Sequence, residues 1–131
     1  MPRSHDTVRK QLKAFGLAFP GAHSKSPWPE HDDLAVKGKT FAFMRVAGEP
    51  LSITCKLPVT RVEVLKNAFA QPTGYGLGKS GWVSMKFDPA EQPPIDLLKR
   101  CILESYRAVA PKKLVAELEA QQPWTRMGVV G

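Results

Sequence analysis

The sequence predicts an α+β domain, a two-layer sandwich in which an antiparallel sheet of about five strands carries helices on one face, approximately α-β(3)-α-β(2)-α. Stretches with an apolar residue at every second position alternate with stretches in which apolar residues recur every three or four positions. The strand-like stretches are short, and the turns between them are too brief for the crossovers of a parallel sheet. With 131 residues, 43% of them hydrophobic, the chain has room for one domain with its own core.

The first predicted element is a helix near the start of the chain. Either Ser4 or Asp6 can cap it, because both side chains accept hydrogen bonds from exposed amides. Its apolar stripe has spacings of four and three residues, at Val8, Leu12 and Phe15. A run that contains two glycines and a proline follows, and this run ends the helix.

A β-hairpin comes next. Residues 33–36 and 40–46 both have an apolar period of two, and the turn between them at 37–39 has glycine at its centre. Strict alternation along the second strand predicts that Phe41 and Phe43 lie on the same side of the sheet.

Residues 51–57 predict a third strand, because its odd-numbered positions are apolar and its even-numbered positions are Ser, Thr and Lys. The chain has two cysteines, which are too few for a disulfide framework or a structural zinc site. Cys55 lies on the apolar side of this strand, and Cys101 is flanked by apolar residues in a helical segment. Both are predicted to be reduced thiols in the core.

Residues 60–69 predict a second helix. Thr60 and Glu63 have the spacing of a capping box, and Val59 can pack onto Val64 as a hydrophobic staple. A glutamine and a proline then stop the helix. Its expected buried stripe consists of Val62, Leu65 and Phe69.

The last third of the chain predicts a strand and two helices. Residues 82–87 alternate, and Trp82 shares its side with a serine and a lysine, which favours an outward position. Two prolines then open the longest helix, and a shorter helical segment begins near Pro111. The inward-facing residues of the long helix are predicted to be Ile95, Leu98, Ile102, Val109 and either Ser105 or Tyr106. The domain is expected to span residues 1–118, with a tail at 119–131.

Residues 74–82 contain four glycines, one lysine, one serine and two large aromatic residues. This composition is similar to that of a phosphate-binding loop, but a G-x-x-x-x-G-K-[ST] motif ending at Ser80 would need glycine at Thr73. Such a loop also leads into a helix whose amides hold the phosphate, whereas this one leads into a predicted strand. The pattern therefore argues against a nucleotide cradle.

The charge of the chain favours anionic partners. Its formal net charge is +7, and its calculated isoelectric point is about 9.7, so nucleic acid is the first class of large partner to consider. No apolar run is long enough to span a bilayer, and the first residues lack the apolar core of a secretory signal. These features predict a cytoplasmic protein.

Five stretches in this order, 19–21, 29–43, 74–82, 104–107 and 110–114, resemble the MmcQ/YjbR family. The resemblance extends from about residue 6 to about residue 118. It implies a compact α+β fold, likened to secretion chaperones and to CyaY, with an antiparallel sheet and flanking helices. It also implies DNA binding through a double wing of β-hairpins, a role proposed for that family, and it brings no catalytic residues with it.

Eight residues are candidate nucleic-acid contacts. Cations at hairpin tips and on loops suit phosphate, and exposed aromatic rings can stack on unpaired bases. The alternatives stay open: turn lysines are commonly only solvated, cations in a last helical turn complement the helix dipole, and either ring can belong to the core. The candidates are Lys37, Lys39, Tyr75, Lys79, Trp82, Arg107, Lys112 and Lys113.

The leading functional hypothesis is a small non-enzymatic module that binds DNA through phosphate contacts. The runner-up is a module that binds a peptide or protein on the sheet or in a groove between sheet and helices. An enzyme or metal site would draw on Glu30, His31, Asp32 and Asp33 together with the glycine-rich loop, but adjacent residues of an extended segment point to opposite faces. No cofactor or metal is therefore expected.

Overall fold

The computed structural model describes residues 4–26, 31–46, 48, 50–74 and 77–121. These residues form four α-helices and six strands, with a 3-10 turn at Leu77–Ser80. In chain order the elements are α1 (His5–Leu17), β1 (Ala22–Lys25), β2 (Asp33–Val36), β3 (Lys39–Met44), β4 (Ser52–Lys56), α2 (Arg61–Val64), β5 (Ala70–Pro72), β6 (Trp82–Lys86), α3 (Ile95–Val109) and α4 (Lys112–Gln121).

The strands form one antiparallel sheet in the order β1-β2-β3-β4-β6-β5. Helix α3 packs against β3, β4 and α1, and α1 packs against β1 and β2, so both helices cover the same face of the sheet. We call this the core face and the opposite one the outer face. The predicted α+β class with an antiparallel sheet is confirmed, and the sheet has six strands rather than about five. The short edge strands β1 and β5 lack the alternation that identifies a strand from sequence.

Strand β4 and helix α3 form the centre of the core, as their patterns predicted. The odd-numbered residues from Leu51 to Leu57 are fully buried, and the even-numbered residues between them are half-buried on the outer face. Cys55 and Cys101 are both buried and unbridged, which confirms their prediction as core thiols. Helix α4 extends to Gln121, three residues beyond the boundary expected for the domain.

The prediction that Phe41 and Phe43 share a side is wrong. The register between β2 and β3 shifts, with Leu34 opposite Ala42 but Ala35 opposite Thr40, so Phe41 is an extra residue in a β-bulge. Its ring therefore turns to the core face, where it is fully buried. Phe43 stays on the outer face.

The second helix is also much shorter than predicted, because α2 is a single turn. Thr60 makes no side-chain cap there, and Val59 and Val62 are 82% and 66% exposed, so neither the staple nor that part of the buried stripe forms. The hydroxyl of Thr60 instead donates to Glu104 Oε1 at 2.7 Å. The chain then leaves the helical path and reaches the sheet edge as β5.

Three consecutive residues of α3 fasten the helix to other segments. Glu104 Oε2 accepts hydrogen bonds from the backbone N–H groups of residues 59 and 60. Ser105 Oγ donates to the carbonyl of Phe41 at 2.5 Å and accepts from the N–H of Lys56 at 2.8 Å. Because Phe41 and Lys56 would form the next rung of the β3–β4 ladder, the serine takes the place of that rung. Tyr106 donates to the carbonyl of Pro20 at 2.6 Å.

Candidate functional site

The antiparallel register brings several segments to one end of the sheet. The β2–β3 hairpin turns there, β4 ends there at Lys56, and β6 begins there at Trp82, which lies opposite Lys56. We call this the hairpin end. Strands β3 and β6 are separated only by β4, so two strand spacings, about 10 Å, separate the hairpin side from the β6 side.

The hairpin tip presents two of the predicted lysines. Lys37 and Gly38 have φ angles of +53° and +78°, the left-handed pair that a type I′ turn requires. Lys37 and Lys39 are exposed. The tip is held against β1, because Lys25 Nζ donates to the carbonyl of Gly38 at 2.7 Å. The turn therefore fixes the backbone while the two lysine side chains reach into solvent.

The glycine-rich run brings Lys79 to the same end. Lys79 is exposed on the 3-10 turn at Leu77–Ser80, and Gly81 follows with a φ of +94° before β6 begins. The carbonyl of Gly81 accepts from the N–H of Leu57 at 2.8 Å, which ties the run to the end of β4. A strand and not a helix follows, so the predicted strand context is correct. Tyr75 lies outside the described residues.

Trp82 lies half-buried on the outer face, as its alternation predicted. Its ring contacts that of Phe43 in an edge-to-face arrangement, with 5.4 Å between the ring centroids. Lys56 lies opposite Trp82 on the neighbouring strand, on the same face. Sequence reasoning did not select Phe43 or Lys56. Lys56 could have been found, because it follows two polar residues on the outward positions of β4.

The other three predicted cations, Arg107, Lys112 and Lys113, form a cluster at the hairpin end too, but on the helix side. Arg107 follows two residues after Ser105, which contacts the ends of β3 and β4. Lys112 and Lys113 are exposed at the start of α4, whose Leu114 packs near Gly21 and the end of β2. Arg107 forms an ion pair with Glu119 of α4, with 2.8 Å between nitrogen and oxygen. This cluster therefore faces away from the outer face that holds Trp82.

Carboxylates are distributed differently from these cations. Six of the ten in the described residues lie at or beyond the opposite end of the sheet, where β2 and α3 begin and β6 ends: Asp6, Asp32, Asp33, Asp88, Glu91 and Asp96. The other four belong to the helical segments: Glu63, Glu104, Glu117 and Glu119. Within the described part of the chain, the outer face at the hairpin end thus carries lysines without a carboxylate between them.

The acidic segment before β2 has a structural role. Asp33 is fully buried, and its Oδ1 accepts from the N–H of Met44 at 2.8 Å and lies 3.3 Å from His31 Nδ1. Lys13 Nζ donates to Asp32 Oδ1 at 2.6 Å and to the carbonyl of Asp33 at 2.9 Å, which joins α1 to β2. Glu30 lies outside the described residues. Among residues that are described, no group of three or more His, Cys, Asp and Glu side chains is arranged to hold a metal ion.

The two thiols are poorly suited to nucleophilic chemistry. Burial raises the pKa of Cys55 well above its ordinary value and raises the pKa of Cys101 to about 12. Both groups are therefore protonated near neutral pH, and the thiol is a weak nucleophile. None of the helices traced in the described ranges is long and apolar enough to cross a membrane.

A shallow groove lies on the helix side, between α3 and the segment that precedes α2. Its volume is about 500 Å³, and its lining includes Pro58, Val59, Leu103 and Ala108. Arg100 and Arg107 line it as well. Glu104 lies in its wall, with its carboxylate engaged by residues 59 and 60. This apolar groove with a basic rim was not found from the sequence, because Val59 was predicted to pack against a longer helix.

Comparison with known proteins supports the fold and identifies the family. The model of the YjbR family matches residues 17–108, more than half of the chain. A crystal structure of Deinococcus radiodurans protein DR2400, described with a DUF419 domain, is similar in fold, with a TM-score of 0.63, 24% identity and coverage of 86% of each chain. The search of curated proteins finds no match. The family match and the shared antiparallel architecture agree with the resemblance drawn from the sequence, and the chain belongs to the YjbR family.

Proposed function

We propose that this protein binds DNA through phosphate contacts at the hairpin end, as a module without catalytic activity. The observation that supports this most directly is the convergence of Lys37, Lys39, Lys56 and Lys79 on one end of the sheet. Ammonium groups on solvent-exposed turns neutralise backbone phosphates without reading sequence. Binding of this kind is expected to be weak and to depend strongly on salt. A cytoplasmic location belongs to the same proposal, in keeping with two unbridged cysteines.

The geometry suits a polyanion better than a small anion. Lys37 and Lys39 share the hairpin turn, Lys56 lies on β4 and Lys79 precedes β6. Because two strand spacings, about 10 Å, separate the hairpin from the β6 side, the four lysines are spread too widely to surround one phosphate. They can contact successive phosphates along a strand of nucleic acid. The carboxylates at the opposite end and the net charge of +7 favour an approach by this end.

The test is a salt titration of a labelled DNA duplex by fluorescence anisotropy. If each of the four lysines neutralises one phosphate, the plot of log K against log salt has a slope of about −3 to −4. The double variant Lys37→Asn and Lys39→Gln should reduce the magnitude of that slope by about 2. Asparagine is chosen for position 37 because it tolerates the left-handed backbone there.

A matched control removes two exposed lysines elsewhere, by Lys10→Gln on α1 and Lys66→Gln after α2. It lowers the net charge by the same amount. The proposal predicts that its slope stays near that of the wild type. It is refuted if no binding occurs at low salt, or if the control and the hairpin variant weaken binding equally.

The groove on the helix side favours a second candidate function, the binding of a peptide or protein partner. Val59 is 82% exposed at its wall, and Val62 nearby in sequence is 66% exposed. Exposed apolar side chains mark an interaction surface where they are contiguous, and Val59 continues the apolar lining of this groove. The basic rim from Arg100 and Arg107 suits an apolar segment with acidic residues.

Acidic amphipathic peptides selected by display would test this second function, with binding mapped by NMR chemical shifts. Shifts should centre on Val59, Leu103 and Ala108, and Val59→Ser should weaken binding. Leu17→Ser, at another exposed apolar residue, is the control. Shifts confined to other surfaces would exclude the groove as the binding site.

A further inference from the structure

We infer that the outer face of the sheet is a binding site for single-stranded DNA, in which an unpaired base stacks on the ring pair of Phe43 and Trp82. The inference rests on the proposed function and adds to it the form of nucleic acid and a second set of contacts. Three features of the outer face support it: the aromatic pair, a row of hydroxyl groups beside it, and one cation at each end of the β4–β6 pair.

The aromatic pair lies above the inner strand β4, near the hairpin end. Phe43 is opposite Thr54, and Trp82 is opposite Lys56, so the two rings come from the strands on either side of β4 and meet above it. Their planes are inclined at 61°, with 5.4 Å between centroids. An edge-to-face contact uses one face of one ring and an edge of the other, and it leaves ring faces for a further planar group. Both side chains are half-buried, so solvent reaches them.

The hydroxyl row runs next to the rings across three segments. Ser84 Oγ lies 3.1 Å from Thr54 Oγ1 and 2.9 Å from Thr73 Oγ1, which links β4, β6 and the residue that follows β5. All three side chains are half-buried. Hydroxyl groups rotate and both donate and accept hydrogen bonds. These hydroxyl groups can therefore form hydrogen bonds with base edges or phosphate oxygens, and they do not require one particular base sequence.

Cations flank this row along the strands. Lys56 lies beside Trp82 at the hairpin end, and Lys86 lies on the same face at the far end of β6, opposite Ser52. Lys86 lies four residue steps along the extended strand from Trp82, a distance of about 13 Å. A strand of nucleic acid that follows β6 would keep its phosphates near both cations and carry a base over the rings. Lys56 and Trp82, then Ser84, then Lys86 thus follow one another along one path on the outer face.

This face distinguishes single strands from duplexes. In a duplex each base is covered by its neighbours, so its faces are not available to a ring on a broad sheet surface. A duplex can still reach the lysines of the hairpin end through its phosphates. We therefore expect duplex DNA to bind through the lysines alone, and single strands to bind through the lysines and the rings.

The test compares three probes on the wild-type protein by fluorescence anisotropy. They are an oligothymidylate of about 12 nucleotides, a length within the site sizes of single-strand-binding folds, an abasic strand with the same number of phosphates, and a duplex of the same length. The oligothymidylate should bind about 5- to 100-fold more tightly than the abasic strand, since the latter lacks a base to stack. Equal affinities for these two strands would overturn the inference.

Variants provide a second measurement. Trp82→Leu should lower the affinity for oligothymidylate toward that for the abasic strand and leave duplex binding unchanged, and Trp82→Phe should restore part of the difference. Leu17→Ala, at an exposed apolar residue at the end of α1, is the control. If duplex binding keeps its salt slope and lysine dependence while Trp82→Leu binds oligothymidylate like the wild type, the inference fails and the proposed function stands. If no probe binds at low salt, both fail.

Discussion

Replacing Ser105 with alanine is expected to destabilise the protein far more than the loss of one surface hydroxyl would. The Ser105 hydroxyl donates to the carbonyl of Phe41 and accepts from the N–H of Lys56, where a ladder rung between β3 and β4 is missing. Alanine fits the same space but leaves both backbone groups without this partner. Each buried group left unsatisfied costs about 1–3 kcal/mol.

The two groups do not contribute equally. Phe41 is fully buried, so its carbonyl carries most of the penalty, whereas Lys56 is half-buried and water can reach its N–H more easily. We expect a total loss of about 2–4 kcal/mol in the free energy of unfolding. With a urea m-value of about 1.5 kcal/mol/M, the midpoint falls by roughly 2 M.

Urea unfolding followed by circular dichroism measures this loss, and amide hydrogen exchange at Lys56 reports the local opening. Ser52→Ala, the same substitution on the outer face of β4, is the control and should change the free energy of unfolding by less than about 0.5 kcal/mol. A loss below about 1 kcal/mol for Ser105→Ala, or equal losses in the two variants, would mean that water already serves the two backbone groups.

Three further predictions concern stability. Glu104→Ala removes an acceptor of three hydrogen bonds and should cost about 2–3 kcal/mol in urea unfolding, whereas Glu104→Gln keeps one oxygen and should cost less; equal losses would contradict this. Burial raises the pKa of Cys101 from 9.0 to about 12 and also raises that of Cys55, so above pH 9 the unfolded chain loses these protons first. The free energy of unfolding should then fall by about 1.4 kcal/mol per pH unit for each thiol. The fall should be less steep in Cys101→Ala. A free energy of unfolding that stays constant from pH 8 to 11 would refute this prediction. Gly38→Ala, at a φ of +78°, should cost about 1–2 kcal/mol in the same assay, and no loss would exclude backbone strain there.

Much of the fold could be predicted because its central elements have simple periodicities. Residues 51–57 alternate strictly, since β4 has one face on the core and one on the outer side. Helix α3 begins after two prolines and buries Leu98 and Ile102 as its spacing indicated. It also buries both Ser105 and Tyr106, of which only one was expected. Such elements have a single environment along each face, so local pattern and tertiary position agree.

The errors arise where a distant contact decides the local structure. The bulge turns Phe41 inward, and the carbonyl of Phe41 accepts a hydrogen bond from Ser105, more than sixty residues away in sequence. The capping-box spacing at Thr60 predicted a long helix, but Glu104 binds that residue instead. Neither contact can be predicted from a short window of sequence, because each joins segments about 45 or more residues apart.

Several residues of the candidate site were predicted from the sequence, but their positions relative to one another were not. Lys37, Lys39 and Lys79 were selected as cations on turns, but their common position at the hairpin end depends on the strand order β3-β4-β6. Lys56 was missed because a lysine on the polar side of a strand is usual in any sheet. Phe43 was missed because it was assigned to the same side as Phe41.

The uneven distribution of carboxylates has a kinetic consequence. Lysines lie at one end of the strands, and six described carboxylates lie at or beyond the other, two of them paired with Arg9 and Lys13. These charges contribute an electric dipole component that points along the sheet toward the hairpin end. In the field of a polyanion this moment exerts a torque, so the protein turns before it arrives and a larger fraction of encounters begin in the correct orientation. The same torque fades as added salt shortens the Debye length. Association should therefore slow with rising ionic strength even for a variant whose bound contacts remain intact.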